Sequence, residues 1–177
     1  MHRVLGSVLI SSEQIQRRNA ELGRQISADY AGGAVTIVAI LKGSFLFLAD
    51  MIRQISPEIP VEVDFMAVSS YGNGTTSTGT VRIEKDLEVT VAGRDIIVVE
   101  DIVDTGLTLY QVDRILAGRG ARTIRVATLL EKPGNSKYER KIDYVGFQIP
   151  NAFVVGYGLD YAQRYRNLPD IRVLDEI

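Results

Sequence analysis

Residues 96–108 constrain the fold of this chain more than any other stretch, because they pass from a strand pattern through a short loop into a helix pattern. An apolar, β-branched run ends in two adjacent acids, Glu100 and Asp101. Two apolar residues follow, and Asp-Thr-Gly-Leu-Thr at 104–108 leads into a helix that we expect over 109–119. A strand that feeds a helix in this way is typical of parallel α/β sheets.

The loop at 104–108 has the composition of an anion-binding site. It offers hydroxyls and backbone N–H groups at the start of a helix, where the helix dipole favours negative charge. The acids before it can hold sugar hydroxyls or a hard cation, which together suggests a ribose-phosphate ligand. The Gly-Lys-Ser/Thr ending of a Walker A loop and the G-x-G-x-x-G dinucleotide fingerprint are both missing. Glu100 and Asp101 could simply end a strand, and Asp104 or Thr105 could simply cap the next helix. These roles explain each residue alone but not why all of them occur together in this order.

The rest of the chain alternates between helix and strand patterns. The expected elements are helices at 12–30 and 45–55 and strands at 35–41, 61–68, 81–83, 87–91, 123–130, 142–147 and 153–159. This order predicts an α/β fold with a largely parallel twisted sheet flanked by helices, and ligands at the carboxyl ends of its strands. Residues 71–80 are rich in glycine and small hydroxyl residues, and we expect a mobile lid there rather than a surface hairpin.

Composition excludes several other kinds of protein. The 177 residues suit a single domain, and a net charge of −2 lacks the positive field of a general nucleic-acid binder. The chain has no cysteine, which excludes disulfides, and its one histidine, His2, is expected to be solvated rather than catalytic. No apolar run approaches membrane-spanning length and the first residues do not resemble a signal peptide, so we expect a soluble cytoplasmic protein.

Residues 98–108 resemble the phosphoribosyl-diphosphate signature of the type I phosphoribosyltransferases, which is a strand ending in two acids and an Asp-Thr-Gly-x-Thr loop. The chain also resembles the hypoxanthine-guanine group of this family, bacterial members above all, over almost its whole length. The resemblance implies one phosphoribosyltransferase domain with a core at about 34–145 and a small hood, built from the N-terminal segment and about 146–177. It implies purine salvage, in which the 5-phosphoribosyl group of phosphoribosyl diphosphate is transferred to N9 of hypoxanthine or guanine.

The resemblance assigns the sugar and phosphate contacts to three sets of residues. The 5-phosphate needs N–H and hydroxyl donors, and these fall at Asp104, Thr105, Gly106, Leu107 and Thr108. Magnesium needs hard oxygen ligands, for which the candidates are Glu100, Asp101 and Asp160. The leaving diphosphate needs cations or N–H groups, which fall at Lys42, Gly43 and Arg166. The family's diphosphate loop carries a non-proline cis peptide bond, which we therefore expect at Leu41–Lys42.

The resemblance places the purine among residues from later in the chain. Lys132 falls at the lysine that contacts the 6-oxo group, and Asp104 at the general base that accepts a proton from the purine. Phe153 would stack on the base, and Val154 would offer backbone hydrogen bonds. Ser70 and Tyr71 would begin the loop that closes over the reaction centre. Residues 134–138 match no role that we can assign.

Other functions stay open at this point. A transferase on the same scaffold that prefers adenine is disfavoured, because a lysine donor suits a 6-oxo group and not a 6-amino group, but xanthine also has the 6-oxo group. Some proteins with this fold are RNA-binding regulators of pyrimidine genes, and the balanced charge and the Lys132/Phe153 box argue against that role. We expect a homodimer or homotetramer, with no nucleic-acid or membrane partner.

Overall fold

The computed structural model describes residues 3–70, 81–138 and 140–176, and the expected lid at 71–80 lies outside them. The elements in chain order are β1 (Arg3–Ile10), α1 (Ser12–Asp29), β2 (Val35–Leu41), α2 (Phe45–Ile52), β3 (Val61–Ser70), β4 (Val81–Lys85), β5 (Asp95–Val103), α3 (Leu107–Gly118), β6 (Thr123–Glu131), β7 (Tyr144–Gln148), β8 (Val154–Val155) and β9 (Ile171–Glu176). Among the described helices, none has both the length and the apolar character needed to cross a membrane.

A six-stranded sheet lies at the centre of the molecule, with strand order β4-β3-β2-β5-β6-β7. Its neighbouring strands are parallel except for β3 and β4, so the prediction of a largely parallel sheet is confirmed. β2 and β5 are buried along most of their length, as continuous apolar runs require when helices cover both faces of a sheet. A second, antiparallel sheet of order β1-β9-β8 joins the N-terminal and C-terminal segments.

Helices pack on both faces of the central sheet. On one face, a core that includes Phe47 of α2 also takes in Val99 of β5. On the other face, Leu109 of α3 packs in a core with Val98 of β5. Successive side chains of a strand point to opposite faces, so β5 contributes to both cores. The same alternation decides where the two acids at the end of β5 point.

The strand order reverses between β2 and β5, and this reversal creates a crevice at their carboxyl ends. From β2 the chain passes through α2 to β3 on one side, and from β5 it passes through α3 to β6 on the other. Ligands of open α/β sheets bind at such a reversal. Ala39 pairs with Val99, so that Leu41, the last residue of β2, is level with Asp101. The segments that follow β2 and β5 are therefore placed to build one site.

One predicted strand is wrong, and another is much shorter than predicted. Residues 87–91 are not a strand, because the backbone N–H groups of Glu88 and Val89 donate to Oδ2 of Asp64 at 2.7 and 3.0 Å instead of to a neighbouring strand. The strand expected over 153–159 is only two residues long, since the N–H of Gly156 donates to the carbonyl of Leu159 and turns the chain.

Two strands of the antiparallel sheet are present although their pattern does not predict them. β1 pairs with β9, and the pairing shifts register between Leu5 and Val8 and again before Ile10. These irregularities break the period of two by which a strand is recognised in a sequence. α2 also ends three residues before the expected position, at Ile52.

We expect the Asp64→Ala variant to lose about 3 kcal/mol of unfolding free energy, because Asp64 is buried and its carboxylate holds the 86–91 segment. Burial alone would raise the pKa of Asp64, but N–H donors from Val89, Phe65 and Glu88 outweigh burial and hold the pKa below its usual value. The stabilisation is therefore complete above the unfolded pKa of 3.8 and is lost as the pH falls through the lower folded value.

Urea unfolding at pH 7 and at pH 3 measures this effect. Glu88→Ala is the matched control, because its side chain is 82% exposed and only its backbone N–H contacts Asp64. A loss for Asp64→Ala that does not shrink at pH 3, or that equals the loss for Glu88→Ala, would contradict the assignment.

Candidate active site

The two acids at the end of β5 lie on opposite faces of the central sheet. Glu100 follows Val99 and lies on the α3 side, where it is only 6% exposed. It lines a small cavity of about 90 Å³ together with residues 102–108. Asp101 lies on the α2 side, under the turn that follows β2. One strand end thus presents a carboxylate to each side of the crevice.

The loop at 104–108 leads directly into α3, which begins at Leu107. Gly106 precedes the helix with a φ of +75°, a left-handed conformation that glycine adopts without a steric penalty. No side chain caps the helix start, and the Oγ1 of Thr105 accepts only a long contact of 3.5 Å from the N–H of Leu107. The first backbone N–H groups of α3 are thus available to an anion beside the cavity that Glu100 lines.

The turn after β2 is pressed between the β5 acid and a loop from later in the chain. The Leu41–Lys42 peptide bond is cis, as the resemblance predicts. A Cβ atom placed on Gly43 would lie 1.6 Å from Oδ2 of Asp101. A Cβ atom on Gly158, whose φ is +99°, would lie 2.1 Å from the carbonyl oxygen of Gly43. These contacts bring residues from three separate parts of the chain to one point.

Asp104 is held by two side chains from the segment that follows β6. The Nζ of Lys132 donates to Oδ2 of Asp104 at 3.1 Å, and the Nδ2 of Asn135 donates to Oδ1 at 3.0 Å. The side chain of Lys132 is 10% exposed, whereas that of Asp104 is 42% exposed. The ammonium is thus held inside the site, and the carboxylate still faces the solvent from which a substrate arrives.

Phe153 and Val154 begin the segment that the resemblance assigns to the purine. The N–H of Ile149 donates to the carbonyl of Glu131, which brings this part of the chain to the same sheet edge as Lys132. Phe153 is 43% exposed, and its ring meets the ring of Tyr161 edge to face at 5.8 Å. Val154 is buried, in β8. An exposed phenylalanine beside a second ring offers a surface for a flat apolar ligand.

Asp160 and Arg166 form an ion pair in the loop after β8. The distance from Nη2 of Arg166 to Oδ1 of Asp160 is 2.7 Å, and Nη1 of Arg166 donates to the carbonyl oxygen of Gly158 at 2.7 Å. Gly158 in turn touches Gly43, so the guanidinium lies next to the turn after β2. The predicted diphosphate residues Arg166, Lys42 and Gly43 therefore lie in neighbouring segments.

The electrostatics of the β5 acids favour a cation. Burial, with a smaller effect from the charge of Asp101, raises the pKa of Glu100 to about 8. Burial also raises the pKa of Asp101, and the negative charge of Asp160 adds to this while Arg166 opposes it. Carboxylates in this situation fit a hard divalent ion. Within the described ranges, however, no three His, Cys, Asp or Glu side chains come together as a metal site, so protein ligands alone do not complete one.

A sequence profile described as the phosphoribosyl transferase domain matches residues 10–162 of the chain. The chain belongs to the phosphoribosyl transferase domain family. It is 49% identical over 174 residues to the hypoxanthine-guanine phosphoribosyltransferase of Bacillus subtilis, covering 98% of this chain and 96% of the relative. It is 51% identical over 175 residues to that of Mycobacterium tuberculosis, covering 96% and 86%. A hypoxanthine-guanine phosphoribosyltransferase crystal structure from Bacillus anthracis matches with a TM-score of 0.91 at 45% identity, covering 96% of this chain and 99% of the other.

The family membership confirms the predicted fold class, the type I phosphoribosyltransferase fold. It does not test the individual residues, which the structure places as follows. Most of the predicted site residues lie at the carboxyl ends of β2, β5 and β6. Asp160 and Arg166 belong to a later loop, which contacts the turn after β2 through Gly158. Ser70 ends β3, and Tyr71 lies outside the described residues.

The structure brings three further residues, to which the sequence analysis gives no role, into the candidate site, which are Asn135, Gly158 and Tyr161. Asn135 binds Asp104, Gly158 touches Gly43, and Tyr161 meets Phe153. Asn135 acts through a partner 31 residues away, so the local pattern gives no signal for it, whereas Tyr161 lies in the same 153–161 segment as Phe153. The run Gly156-Tyr157-Gly158 is a signal of close backbone approach that could have pointed to Gly158.

A cavity of about 420 Å³ lies at the opposite end of the sheet, around the amino ends of β2, β3 and β5. Two arginines line it, but Arg94 is paired with Glu62 and Arg122 with Asp95. Its position, away from the carboxyl ends of the strands, separates it from the family site.

Proposed function

We propose that this protein is a purine-salvage enzyme that transfers the 5-phosphoribosyl group from phosphoribosyl diphosphate to N9 of hypoxanthine or guanine. The products would be the nucleoside monophosphate and diphosphate. The contact between Lys132 and Asp104 carries this proposal, because it joins a donor suited to a 6-oxopurine to the loop suited to the sugar phosphate. The relatives named above support the same activity.

The phosphate groups of the substrate would bind at two places in the crevice. The 5-phosphate would accept hydrogen bonds from the N–H groups and hydroxyls at 104–108, where the dipole of α3 adds favourable potential. The diphosphate would lie against Lys42, the N–H of Gly43 and Arg166. Arg166 suits a two-point contact with phosphate oxygens, and it would exchange part of its contact with Asp160 for the substrate.

Glu100 and Asp101 would hold the ribose hydroxyls from either side of the sheet edge. Magnesium, when bound, neutralises the diphosphate and so makes it a better leaving group. Glu100, Asp101 and Asp160 would hold it. Substrate oxygens would complete its coordination, because Glu100 and Asp101 face opposite sides of the sheet and the three acids do not form one cluster. In their ionised form these acids would also supply negative charge that suits the positive charge developing on the sugar as diphosphate leaves.

The purine would lie between Phe153 and the Lys132–Asp104 pair. The Phe153 ring would stack on one face of the base, and backbone atoms of Val154 would bind its edge. Lys132 would donate to the 6-oxo oxygen, and Asp104 would accept the proton that the base loses as N9 attacks the sugar. We propose that the antiparallel sheet, with residues after about 146, forms a hood over this base, and that Ser70 and Tyr71 begin the loop that closes the site.

Lys132→Ala is expected to raise the KM for hypoxanthine by about 10- to 100-fold, since a hydrogen bond from a charged group contributes about 1.5–3 kcal/mol. The KM for phosphoribosyl diphosphate should change much less, because Lys132 contacts the carboxylate of Asp104 and not the N–H groups and hydroxyls proposed to bind the phosphate. Initial rates with each substrate varied in turn measure both constants. Lys141→Ala, an exposed lysine after the same segment, serves as the control. An unchanged hypoxanthine KM would remove Lys132 from the purine site.

The proposed function itself is tested by incubating the protein with phosphoribosyl diphosphate, magnesium and one of four purines. We expect nucleotide and diphosphate to form from hypoxanthine and guanine, and not from adenine. Xanthine turnover equal to that of guanine would broaden the substrate class. Absence of any nucleotide, together with RNA binding that weakens with salt, would favour the regulator alternative.

Assembly and location stay predictions from the sequence. A homodimer or homotetramer is expected from the family resemblance, and light scattering during gel filtration measures it. A cytoplasmic location is likewise expected.

A further inference from the structure

The segment at 134–138, which follows Lys132, packs against the proposed phosphate loop. The N–H of Lys137 donates to the carbonyl oxygen of Thr105 at 3.0 Å. A Cβ atom on Gly106 would lie 2.8 Å from Oγ of Ser136, so the two loops are in direct contact. The Tyr138 ring stacks on Tyr110 of α3, with centroids 4.4 Å apart. The segment is therefore fixed to both the loop and the helix that carry the proposed phosphate site.

Asn135 is the residue of this segment that reaches the proposed general base. Its Nδ2 lies 3.0 Å from Oδ1 of Asp104, on the oxygen that Lys132 does not contact. An ionised carboxylate only accepts hydrogen bonds, so the side chain must present its NH₂ group and not its oxygen. The side chain of Asn135 is partly buried. The backbone N–H of Asn135 also donates a long hydrogen bond, of 3.4 Å, to the backbone carbonyl of Lys132.

We propose that Asn135 is the positioning residue that fixes the carboxylate plane of Asp104 for proton transfer, an inference that rests on the proposed function. In the free protein both oxygens of Asp104 are held, one by Lys132 and one by Asn135. When a 6-oxopurine binds, the ammonium of Lys132 is shared with the base, and Asn135 keeps its contact. A neutral amide orients the carboxylate without competing for the proton that it must accept.

If Asn135 served only to stabilise the turn after Lys132, the effects of its substitutions would rank differently. Asparagine and aspartate both favour turns, so Asn135→Asp should be well tolerated if the turn were its only function. If Asn135 positions Asp104, the same change places a second carboxylate at hydrogen-bond distance from the first, where like charges repel. Asn135→Asp should then be worse than Asn135→Ala, which only removes the donor.

The experiment measures kcat and both KM values for the wild type, Asn135→Ala and Asn135→Asp with hypoxanthine. We expect kcat to fall by about 10-fold for Asn135→Ala and by about 100-fold for Asn135→Asp, with the KM for phosphoribosyl diphosphate within about 2-fold. Gln54→Glu, the same change from an amide to a carboxylate at an exposed residue after α2, should leave kcat unchanged. The proposal is overturned if the kcat of Asn135→Asp equals that of the wild type. It is also overturned if the variants mainly raise the KM for phosphoribosyl diphosphate.

A double-mutant cycle with Asp104→Asn separates positioning from folding. If Asn135 acts only through Asp104, adding Asn135→Ala to Asp104→Asn should lower the residual kcat by less than about 2-fold. If Asn135→Ala lowers kcat by the same factor in Asp104→Asn as in the wild type, the two residues act independently and the proposal is overturned. This comparison holds even if one single variant is unstable. An inactive wild type would reject the proposed function, whereas an active wild type with independent losses would reject only the role of Asn135.

Discussion

Asp104→Asn is expected to lower kcat with hypoxanthine by about 100- to 10,000-fold, the range that a positioned general base contributes. The amide keeps the size of the carboxylate but cannot accept the proton that the purine loses. The KM for phosphoribosyl diphosphate should stay near its wild-type value, because the phosphate donors proposed in this loop are backbone N–H groups and hydroxyls. Steady-state rates with each substrate varied in turn provide both values.

The matched control for this change is Asp86→Asn. Asp86 is about half exposed and pairs at 2.6 Å with Arg119, which lies at the C-terminal end of α3, the opposite end of this helix from the 104–108 loop. Because Asp86 contacts no residue of the proposed site that the structure describes, its replacement by asparagine should leave kcat close to wild type. If Asp104→Asn instead weakened phosphoribosyl-diphosphate binding and left kcat intact, Asp104 would be a phosphate contact and not the base.

Gly43→Ala is expected to reduce transferase activity by at least about 100-fold while the protein still folds. The added Cβ would lie 1.6 Å from Oδ2 and 2.5 Å from Cγ of Asp101, so this carboxylate must rotate away. Rotation of one short side chain is compatible with folding, but it removes a proposed ligand of the ribose and of magnesium from its position. A misplacement of about 1 Å in an active site can cost a factor of 100 in rate.

Gly118→Ala provides the control for Gly43→Ala. Gly118 ends α3, and a Cβ atom there would meet no atom within 4 Å. Alanine is favoured over glycine in helices, so this variant should be as active as the wild type and at least as stable. Calorimetric titration with phosphoribosyl diphosphate and magnesium should show weakened binding only for Gly43→Ala. Wild-type binding by Gly43→Ala would contradict the packing of Gly43 on Asp101 in the working enzyme.

The central sheet could be predicted from the sequence because β2, β5 and β6 contain continuous apolar runs and β3 alternates between apolar and polar residues. β2 has the bounds that the pattern gives. β5, predicted over 96–99, is five residues longer, one at its start and four at its end, and β6 is one residue longer at its end. The second sheet could not be predicted, since register shifts break the alternation of β1 and the length of β8 is set by the turn at Gly156. A strand without a regular period is recognised only through its partner.

In the candidate site, too, some features follow from neighbouring residues in the sequence and others depend on contacts between distant segments. Glu100, Asp101 and the loop at 104–108 are contiguous, so their order alone pointed to a sugar-phosphate ligand. The contact of Asn135 with Asp104 spans 31 residues and depends on how the segment after β6 folds back on α3. Sequence patterns describe the first kind of site, and only the three-dimensional structure reveals the second.

The most direct test of the account is a crystal structure with an unreactive phosphoribosyl-diphosphate analogue, magnesium and hypoxanthine. We predict the 5-phosphate at the N–H groups of the 104–108 loop, the diphosphate beside Gly43 and Arg166, and the 6-oxo group of the purine within hydrogen-bond distance of Lys132. The 420 Å³ cavity that Arg94 and Arg122 line should hold no substrate. Sugar phosphate bound in that cavity, or a purine remote from Lys132, would contradict the proposal of one shared site at the carboxyl ends of β2 and β5.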